Sequence, residues 1–226
     1  MHNFIKAIAP ALLIAVLLAS CGNGVQLHSV DKSYSTDTIF ADAKIPQLSG
    51  LSSESLQDSV NEEYEKTITE LLNNFSKEAK NTGDQSTFTV TTTQHLNANG
   101  FFSVVTQVDS CTHSAHKNSF RITKNIDTAA CVEVRLSDLF SDDSYIDMIN
   151  SRLEEEIKQN PDKYSDLWEK PKLSENQKFY INEKNLVLFY PPYELSYYER
   201  GFVEIPLSLA DMSGYLKSDY QRLAGN

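Results

Sequence analysis

The sequence predicts an α+β fold: an antiparallel sheet meander with two main helices, forming two intimately packed subdomains. Three observations support this prediction. Apolar residues recur every three or four positions over 53–80, the pattern changes to alternation over 86–136, and helical spacing returns over 143–159. A chain of 226 residues is long enough to bury a substantial core.

The first helical segment is expected to begin at a capping serine, Ser52 or Ser53, with the acid Glu54 in its first turn. Its apolar side chains lie along one stripe, which predicts that the helix packs on a core rather than on a partner. The stripe consists of Leu56, Val60, Tyr64, Ile68, Leu71, Leu72 and Phe75.

Alternating apolar residues bounded by turn signals predict the strands. Asn97–Gly100 is typical of a tight turn between two of them. We expect a short strand at 37–43 and a turn-rich connector at 45–51. Further strands are expected at 86–96, 101–109, 119–127, 131–136, 178–182, 185–190 and 202–205.

The N-terminal residues resemble a bacterial lipoprotein signal peptide. A single cation, Lys6, precedes an apolar run that is too short to span a hydrocarbon core of ~30 Å. Leu18–Cys21 then resembles a lipobox, in which the cysteine is lipidated and the chain is cut before it; an ordinary secretory signal is the alternative. We predict four segments: signal peptide 1–20, lipidated Cys21 with a flexible tether over 21–36, N-terminal subdomain 37–95 (strand, long helix, strand) and C-terminal α+β subdomain 96–226.

The formal charge of the whole chain is −11. Beyond residue 20 the chain keeps 19 basic and 31 acidic side chains, which gives −12. Such a charge argues against nucleic acid and anionic lipid surfaces as partners. It favours approach by a cationic partner, although solubility at a cell surface is the preferred explanation of the charge.

Cys111 and Cys131 remain as an even pair once Cys21 is lipidated. An even pair in an oxidising compartment suggests a disulfide. The expected strands argue against it, because they place the two cysteines near opposite ends of the middle strand. Both alternatives stay open at this point.

Four short segments form a recognisable series: Ile45–Leu51, Thr112–His116, Leu136–Phe140, and Pro192–Ser196 followed by Tyr198, Gly201 and Ile205–Pro206. In this order, over about 40–216, they resemble the extracytoplasmic domain shared by RsiV-type anti-sigma factors and PdaC-type peptidoglycan deacetylases. The family signature Thr-Gly-Gly-Ala-His has His113 and Ser114 in place of its glycines here, which puts the loop conformation and any ligand contact through it in doubt.

The resemblance implies an α+β fold of two subdomains with a binding role outside the cell. RsiV-type members sense lysozyme by binding it, and in PdaC-type members this region accompanies a separate catalytic domain. The sequence contains neither a cytoplasmic sigma-binding segment nor a deacetylase domain, so it resembles the sensor or binding module alone.

Tyrosines and prolines are densest over 190–198, which suits a recognition surface for a protein or a sugar. We name Tyr193, Tyr197 and Tyr198 as candidate ligand-binding residues, with Tyr193 expected in the core and Tyr197 exposed. The alternative is that half of these tyrosines only close the core. His116, at the family histidine position, is a further candidate, although a structural hydrogen bond would also explain it.

No motif for catalysis or metal binding stands out. Cys111, His113 and His116 lack a fourth ligand at suitable spacing, so we predict no metal and no cofactor. Glu194 and Glu199 could act as a glycosidase pair, but acid-rich chains supply such pairs by chance. We therefore expect no enzyme.

The sequence thus predicts a lipid-anchored, extracytoplasmic protein of the cell membrane or outer membrane with a non-enzymatic binding or sensor domain. A lysozyme-like cationic protein is the first candidate partner. A peptidoglycan- or carbohydrate-binding module is the alternative, and a cell-wall hydrolase is the least favoured.

Overall fold

The computed structural model describes residues 24–82, 84–112 and 117–225. The predicted signal peptide and Cys21 lie outside these residues. The two described α-helices are α1 (Glu54–Thr82) and α2 (Ser144–Gln159). The described strands are β1 (Gln26–Asp31), β2 (Tyr34–Ser35), β3 (Ile39–Asp42), β4 (Lys44–Ser49), β5 (Ser86–Ala98), β6 (Phe101–Cys111), β7 (Asn118–Asp127), β8 (Val132–Glu133), β9 (Phe179–Ile181), β10 (Asn185–Tyr190) and β11 (Val203–Ser208).

The largest sheet has six strands in the order β2-β3-β5-β6-β7-β8. Its described pairs are antiparallel except for β3 and β5, which run parallel with Ile39 opposite Ser86. A parallel pair needs a crossover connection, and β4 and α1 provide it. The predicted α+β class with two main helices and a mostly antiparallel sheet is confirmed; the parallel pair is where the fold departs from a simple meander.

Helix α1 packs on one face of this sheet through the predicted apolar stripe. Tyr64 and Ile68, near the middle of the helix, are fully buried. The side chain of Asn61 accepts a hydrogen bond from the backbone N–H of Leu48 (2.7 Å) and donates one to its carbonyl (2.9 Å). These two bonds also fasten the helix to β4.

A second core lies between α2 and a three-stranded sheet of order β11-β10-β9. Ile149 and Leu153 of α2 are fully buried there, as is Ile205 of β11. Short 3-10 turns at Ala210–Met212 and Ser218–Leu223 close this core from the C-terminal side.

Strand β6 belongs to both cores because its two faces are both buried. Phe102 and Val104 lie in the core under α1, whereas Phe101 lies in the core of α2. Successive strand residues point to opposite faces, which is how one strand serves both cores. Residues 101–106 are consequently all buried.

A buried polar bridge crosses between the two sheets at this strand. The Ser103 hydroxyl donates to the Asn125 carbonyl oxygen (2.6 Å) and accepts from the backbone N–H of Ile181 (2.9 Å). The Asn125 amide donates in turn to the carbonyl of Phe179 (2.9 Å). Every partner sits away from water, so the bridge fixes the position of β9 against β6 and β7.

The predicted tether is wrong for the described residues 24–36. Gln26–Asp31 forms β1, which pairs antiparallel with β4, so the connector expected at 45–51 is also a strand over most of its length. Val25 is buried, and its carbonyl accepts a hydrogen bond from the Asn97 side chain (2.7 Å). Backbone pairing holds β1 in place, and its mostly exposed side chains gave no alternation to detect.

The predicted boundary at 95/96 falls inside β5, at a β-bulge between Gln94 and Leu96. Before the bulge Val90 belongs to the core under α1; after it Leu96 belongs to the core of α2. An extra residue in a strand reverses the faces to which later side chains point. The strand therefore changes core at this position without a break between the subdomains.

The buried carboxylate of Asp127 anchors the C-terminal turn. It accepts backbone N–H bonds from Ala129 (3.0 Å) and Ala130 (2.9 Å) and an ion-paired bond from Arg222 (2.8 Å). Arg222 also donates to the carbonyl of Asn99 (2.7 Å). Burial alone would raise the pKa of Asp127, but these hydrogen bonds and the Arg222 charge outweigh it and lower the pKa below 3.8.

We predict that Ser103→Ala lowers the free energy of unfolding by about 2 kcal/mol, because the Ile181 N–H and the Asn125 carbonyl lose their buried partner. Denaturant titration measures this change. Ser29→Ala, at an exposed position of β1, is the matched control and should change stability by less than about 0.5 kcal/mol. Equal stabilities of the two variants would contradict the bridge.

We predict that Asp127→Asn costs about 2 kcal/mol at pH 7, since a charge-assisted bond is lost. The folded pKa of Asp127 lies below its unfolded value, so its contribution is complete above pH 3.8 and disappears as the pH falls through the folded pKa. Unfolding measured at pH 7 and below pH 4 should therefore show the variant and the parent converging in acid. Asp37→Asn, an exposed control, should show no such convergence.

Candidate functional site

Four aromatic side chains lie together at the surface beyond the end of β10: Trp168, Tyr193, Tyr197 and Tyr198, here termed the aromatic patch. Trp168 is 48% exposed, Tyr193 56% and Tyr197 63%, while Tyr198 is half-buried. Scattered apolar residues are normal on a protein surface, but grouped aromatic rings are typical of binding sites.

Prolines and a turn bring these rings to the surface. Pro191 and Pro192 end β10, and the Glu194 N–H donates to the carbonyl of Pro191 (3.2 Å). Tyr193 adopts a φ of +70°, which is unusual for a residue with a β-carbon. A 3-10 turn over Tyr198–Arg200 then returns the chain towards β11.

The rings form two pairs. Trp168 and Tyr197 meet edge to face, with centroids 5.2 Å apart and an interplanar angle of 83°. Tyr193 and Tyr198 are also 5.2 Å apart and are tilted by 40°. The Trp168 indole N–H donates to the carbonyl of Glu194 (3.3 Å), and its backbone N–H donates to that of Leu195 (3.1 Å), so the tryptophan is attached to the tyrosine segment.

The loop beneath the rings is held by buried anchors. Leu195 is buried in the core of α2. Ser196 is buried and donates to the backbone carbonyl of Asp166 (2.9 Å). Arg200 forms an ion pair with the Asp166 carboxylate and donates to the carbonyl of Lys163 (2.7 Å). The patch is therefore presented in a defined position, which lowers the entropy cost of binding.

Exposed acids adjoin the patch in the chain: Glu169, Glu194 and Glu199 are each next to a patch residue. Two cations directly follow two of these acids in the chain, the exposed Lys170 and the half-buried Arg200. Partial burial raises the pKa of Glu194. Carboxylates and aromatic rings both suit cationic groups, because cations are attracted to carboxylates and to the faces of aromatic rings.

The structure corrects one expectation about these tyrosines. Tyr193, predicted to lie in the core, is exposed, because Leu195 and Ser196 occupy the buried positions of the turn. Tyr197 is exposed as predicted. Trp168 is not among the binding residues predicted from the sequence. It is the single tryptophan of the chain and lies in a polar loop, which was a usable signal.

The remaining candidate residues lie elsewhere. Cys21, His113 and His116 are outside the described residues. Cys111 and Cys131 are not joined by a disulfide. Ser110 pairs with Asn118 at the start of β7, and Cys111 is the next residue after Ser110. Cys131 lies beyond Asp127, at the other end of β7. The ten residues of this strand therefore separate the two cysteines by roughly 33 Å.

Within residues 24–82, 84–112 and 117–225, no three side chains of His, Cys, Asp or Glu are grouped as metal ligands. None of the helices described is both long and apolar enough to cross a membrane.

Two protein families match parts of the chain. Residues 32–119 match the family described as deacetylase PdaC, and residues 137–210 match the family described as protein of unknown function DUF3298. The aromatic patch lies within the second match. The first covers α1 and strands β3–β6, and also the segment around His116.

Three known proteins resemble the chain. The anti-sigma-V factor RsiV of Bacillus subtilis is 30% identical over 191 residues, which is 77% of this chain; the chain spans 65% of the length of that relative. A DUF3298 family member from Bacteroides fragilis has a TM-score of 0.66 at 15% identity, covering 90% of this chain and 99% of its own. A DUF3298 family protein from Pseudomonas aeruginosa has a TM-score of 0.55 at 12% identity, covering 87% and 93%.

The two solved structures are too distant in sequence to show more than a shared fold. RsiV, in contrast, is similar to this chain in sequence, and the similarity covers most of the chain. Together with the two adjoining family matches, this likeness makes the chain similar to the RsiV and PdaC domain family over most of its length.

Proposed function

We propose that this chain is a lipid-anchored protein of the cell envelope whose extracytoplasmic domain is a non-enzymatic sensor, and that the aromatic patch binds a basic protein of the lysozyme type. The observation that carries the proposal is the patch itself: three well-exposed aromatic rings on two segments anchored to each other, with exposed acids next to them in the chain.

Charge supports a basic partner. The chain carries −11 in total, and the exposed acids Glu169, Glu194 and Glu199 adjoin patch residues in the chain. Long-range attraction of this kind accelerates encounter with a cationic protein, and the aromatic centre then supplies contact area at low entropy cost. The likeness to RsiV, whose family senses lysozyme, points in the same direction.

A second candidate is recognition of peptidoglycan by the same patch, because aromatic rings such as Tyr197 and Trp168 can also stack on sugar rings. Such binding would depend weakly on salt, since the sugar rings themselves are uncharged. Cell-wall hydrolysis by Glu194 and Glu199 has less support: both acids are exposed, and neither is held by a described hydrogen bond from its side chain.

We predict that Tyr197→Ala and Trp168→Ala each weaken binding of hen-type lysozyme by tenfold or more, because exposed aromatic anchors dominate such interfaces. Titration calorimetry with residues 22–226 measures this effect, and this segment contains every described element of the fold. Tyr215→Ala is the matched control, an exposed tyrosine outside the patch that should bind like the parent.

Affinity for lysozyme should also fall steeply between about 0.1 and 1 M salt, over which the Debye length shortens from ~10 to ~3 Å. Lysozyme binding that survives both patch substitutions would overturn the assignment of the patch. Binding of soluble muropeptides alone, insensitive to salt, would favour the second candidate.

We predict that Cys21→Ser abolishes incorporation of radiolabelled palmitate into the full-length protein, since the thiol that would carry the lipid is lost. Metabolic labelling with immunoprecipitation measures this loss. Cys131→Ser is the control and should be labelled like the parent. A Cys21→Ser variant that is still labelled would contradict a lipid anchor at this cysteine.

A further inference from the structure

A separate polar cleft of about 240 Å³ opens on the face of the six-stranded sheet that is opposite α1. Strands β5, β6 and β7 form its floor, and side chains of β9 and β11 form one wall. Thr91, Gln107 and Arg121 of the floor alternate along their strands with residues of the core under α1. No residue of the aromatic patch lines this cleft.

His95 lines the cleft at the β-bulge of β5. It follows Thr91 and Thr93 at alternate positions of the strand, which puts all three on the same face. It lies between the register positions of Gln94 and Leu96 and has no cross-strand partner of its own. The imidazole stacks on Tyr180, with ring centroids 3.9 Å apart and planes within 25°, so Tyr180 covers one of its faces. Burial lowers the pKa of His95, which favours the neutral ring.

The charged groups of the cleft are already paired with each other. Arg121 donates to Glu204 (2.6 Å) and to the Gln107 side-chain carbonyl (2.9 Å), and the Tyr180 hydroxyl donates to Glu204 (3.1 Å). The guanidinium also lies 4.0 Å from the ring centroid of Phe202. These contacts hold planar polar groups in fixed positions before any ligand arrives, and they leave the lining with no net charge.

Two hydroxyl groups in the cleft have no such partner. Thr91 and Thr93 lie two residues apart on β5, both are exposed, and neither side chain hydrogen-bonds to another residue in the part of the chain that the structure describes. Each hydroxyl can both donate and accept. They therefore provide hydrogen-bonding capacity next to the open side of a rigid polar network.

These features argue against charged ligands and against apolar ligands. A charged ligand would meet no unpaired opposite charge, because Arg121 and Glu204 neutralise each other. An apolar ligand would displace water from hydroxyl, amide and carboxylate groups without replacing their hydrogen bonds. A neutral ligand rich in hydroxyl groups matches the threonines and the planar side chains, and it can lie against the stacked His95 ring.

We propose that this cleft binds a neutral saccharide ring, independently of the aromatic patch. Thr91 and Thr93 hydrogen-bond the sugar hydroxyls, and His95 contacts the ring. Glu204 from the wall and Arg121 from the floor orient it. The sugar can belong to a wall glycan with N-acetylated units or to an unacetylated glucan, since both share the hydroxyl-bearing ring that the cleft recognises.

The test is an NMR titration of ¹⁵N-labelled residues 22–226 with tri-N-acetylchitotriose and, separately, with maltotriose. We expect one or both sugars to shift amide resonances of β5 around Thr91, Thr93 and His95. The double variant T91V/T93V should weaken that binding at least tenfold, because two hydrogen bonds are lost. Valine keeps the shape and strand preference of threonine, so the fold should be retained, and the unfolding temperature verifies this.

Thr87→Val is the matched control, an exposed threonine of the same strand that does not line the cleft, and it should bind like the parent. Trp168→Ala should leave sugar binding unchanged, which separates the cleft from the patch. The proposal is overturned if neither sugar shifts β5 at millimolar concentration, if T91V/T93V binds like the parent, or if the shifts centre on the aromatic patch.

Discussion

Burial of β6 on both faces is the constraint on which the rest of the structure depends. The strand supplies Phe102 and Val104 to the core under α1 and Phe101 to the core of α2, so neither core is complete without it. A polar residue in such a strand must have its hydrogen bonds satisfied, and Ser103 has them through Asn125 and Ile181. Because the two subdomains share one strand, we expect them to unfold as a single cooperative unit.

The bulge in β5 resolves a geometric problem that the shared strand creates. A regular strand beside β6 would keep the same face towards α1 along its whole length, yet Leu96 is needed in the other core. One extra residue reverses the direction of the side chains, and His95 is the residue left between the two registers. The irregularity that lets the cores share a sheet therefore marks the end of the part of β5 that lines the polar cleft.

The aromatic patch depends on packing in a different way. Its rings come from two segments that are distant in the chain, 163–168 and 191–201, and these are joined by Ser196, Arg200 and the indole of Trp168. Buried side chains such as Leu195 fix the loop, and the tyrosines are left on the outside. Binding residues on loops that a rigid scaffold positions are the usual arrangement for recognition domains.

The sequence by itself determined the α+β class, both helices and most strands, because periodicity is a local property: the stripe from Leu56 to Phe75 and the turn at Asn97–Gly100 needed no knowledge of the fold. Only the tertiary structure decided the rest. β1 is held by backbone pairing to β4, which leaves no side-chain pattern, and Tyr193 is exposed because a positive φ turns the chain there. The Trp168 ring contacts the Tyr197 ring, and His95 and Glu204 line the same cleft. In both cases the residues are far apart in the chain, and no local sequence pattern encodes their proximity.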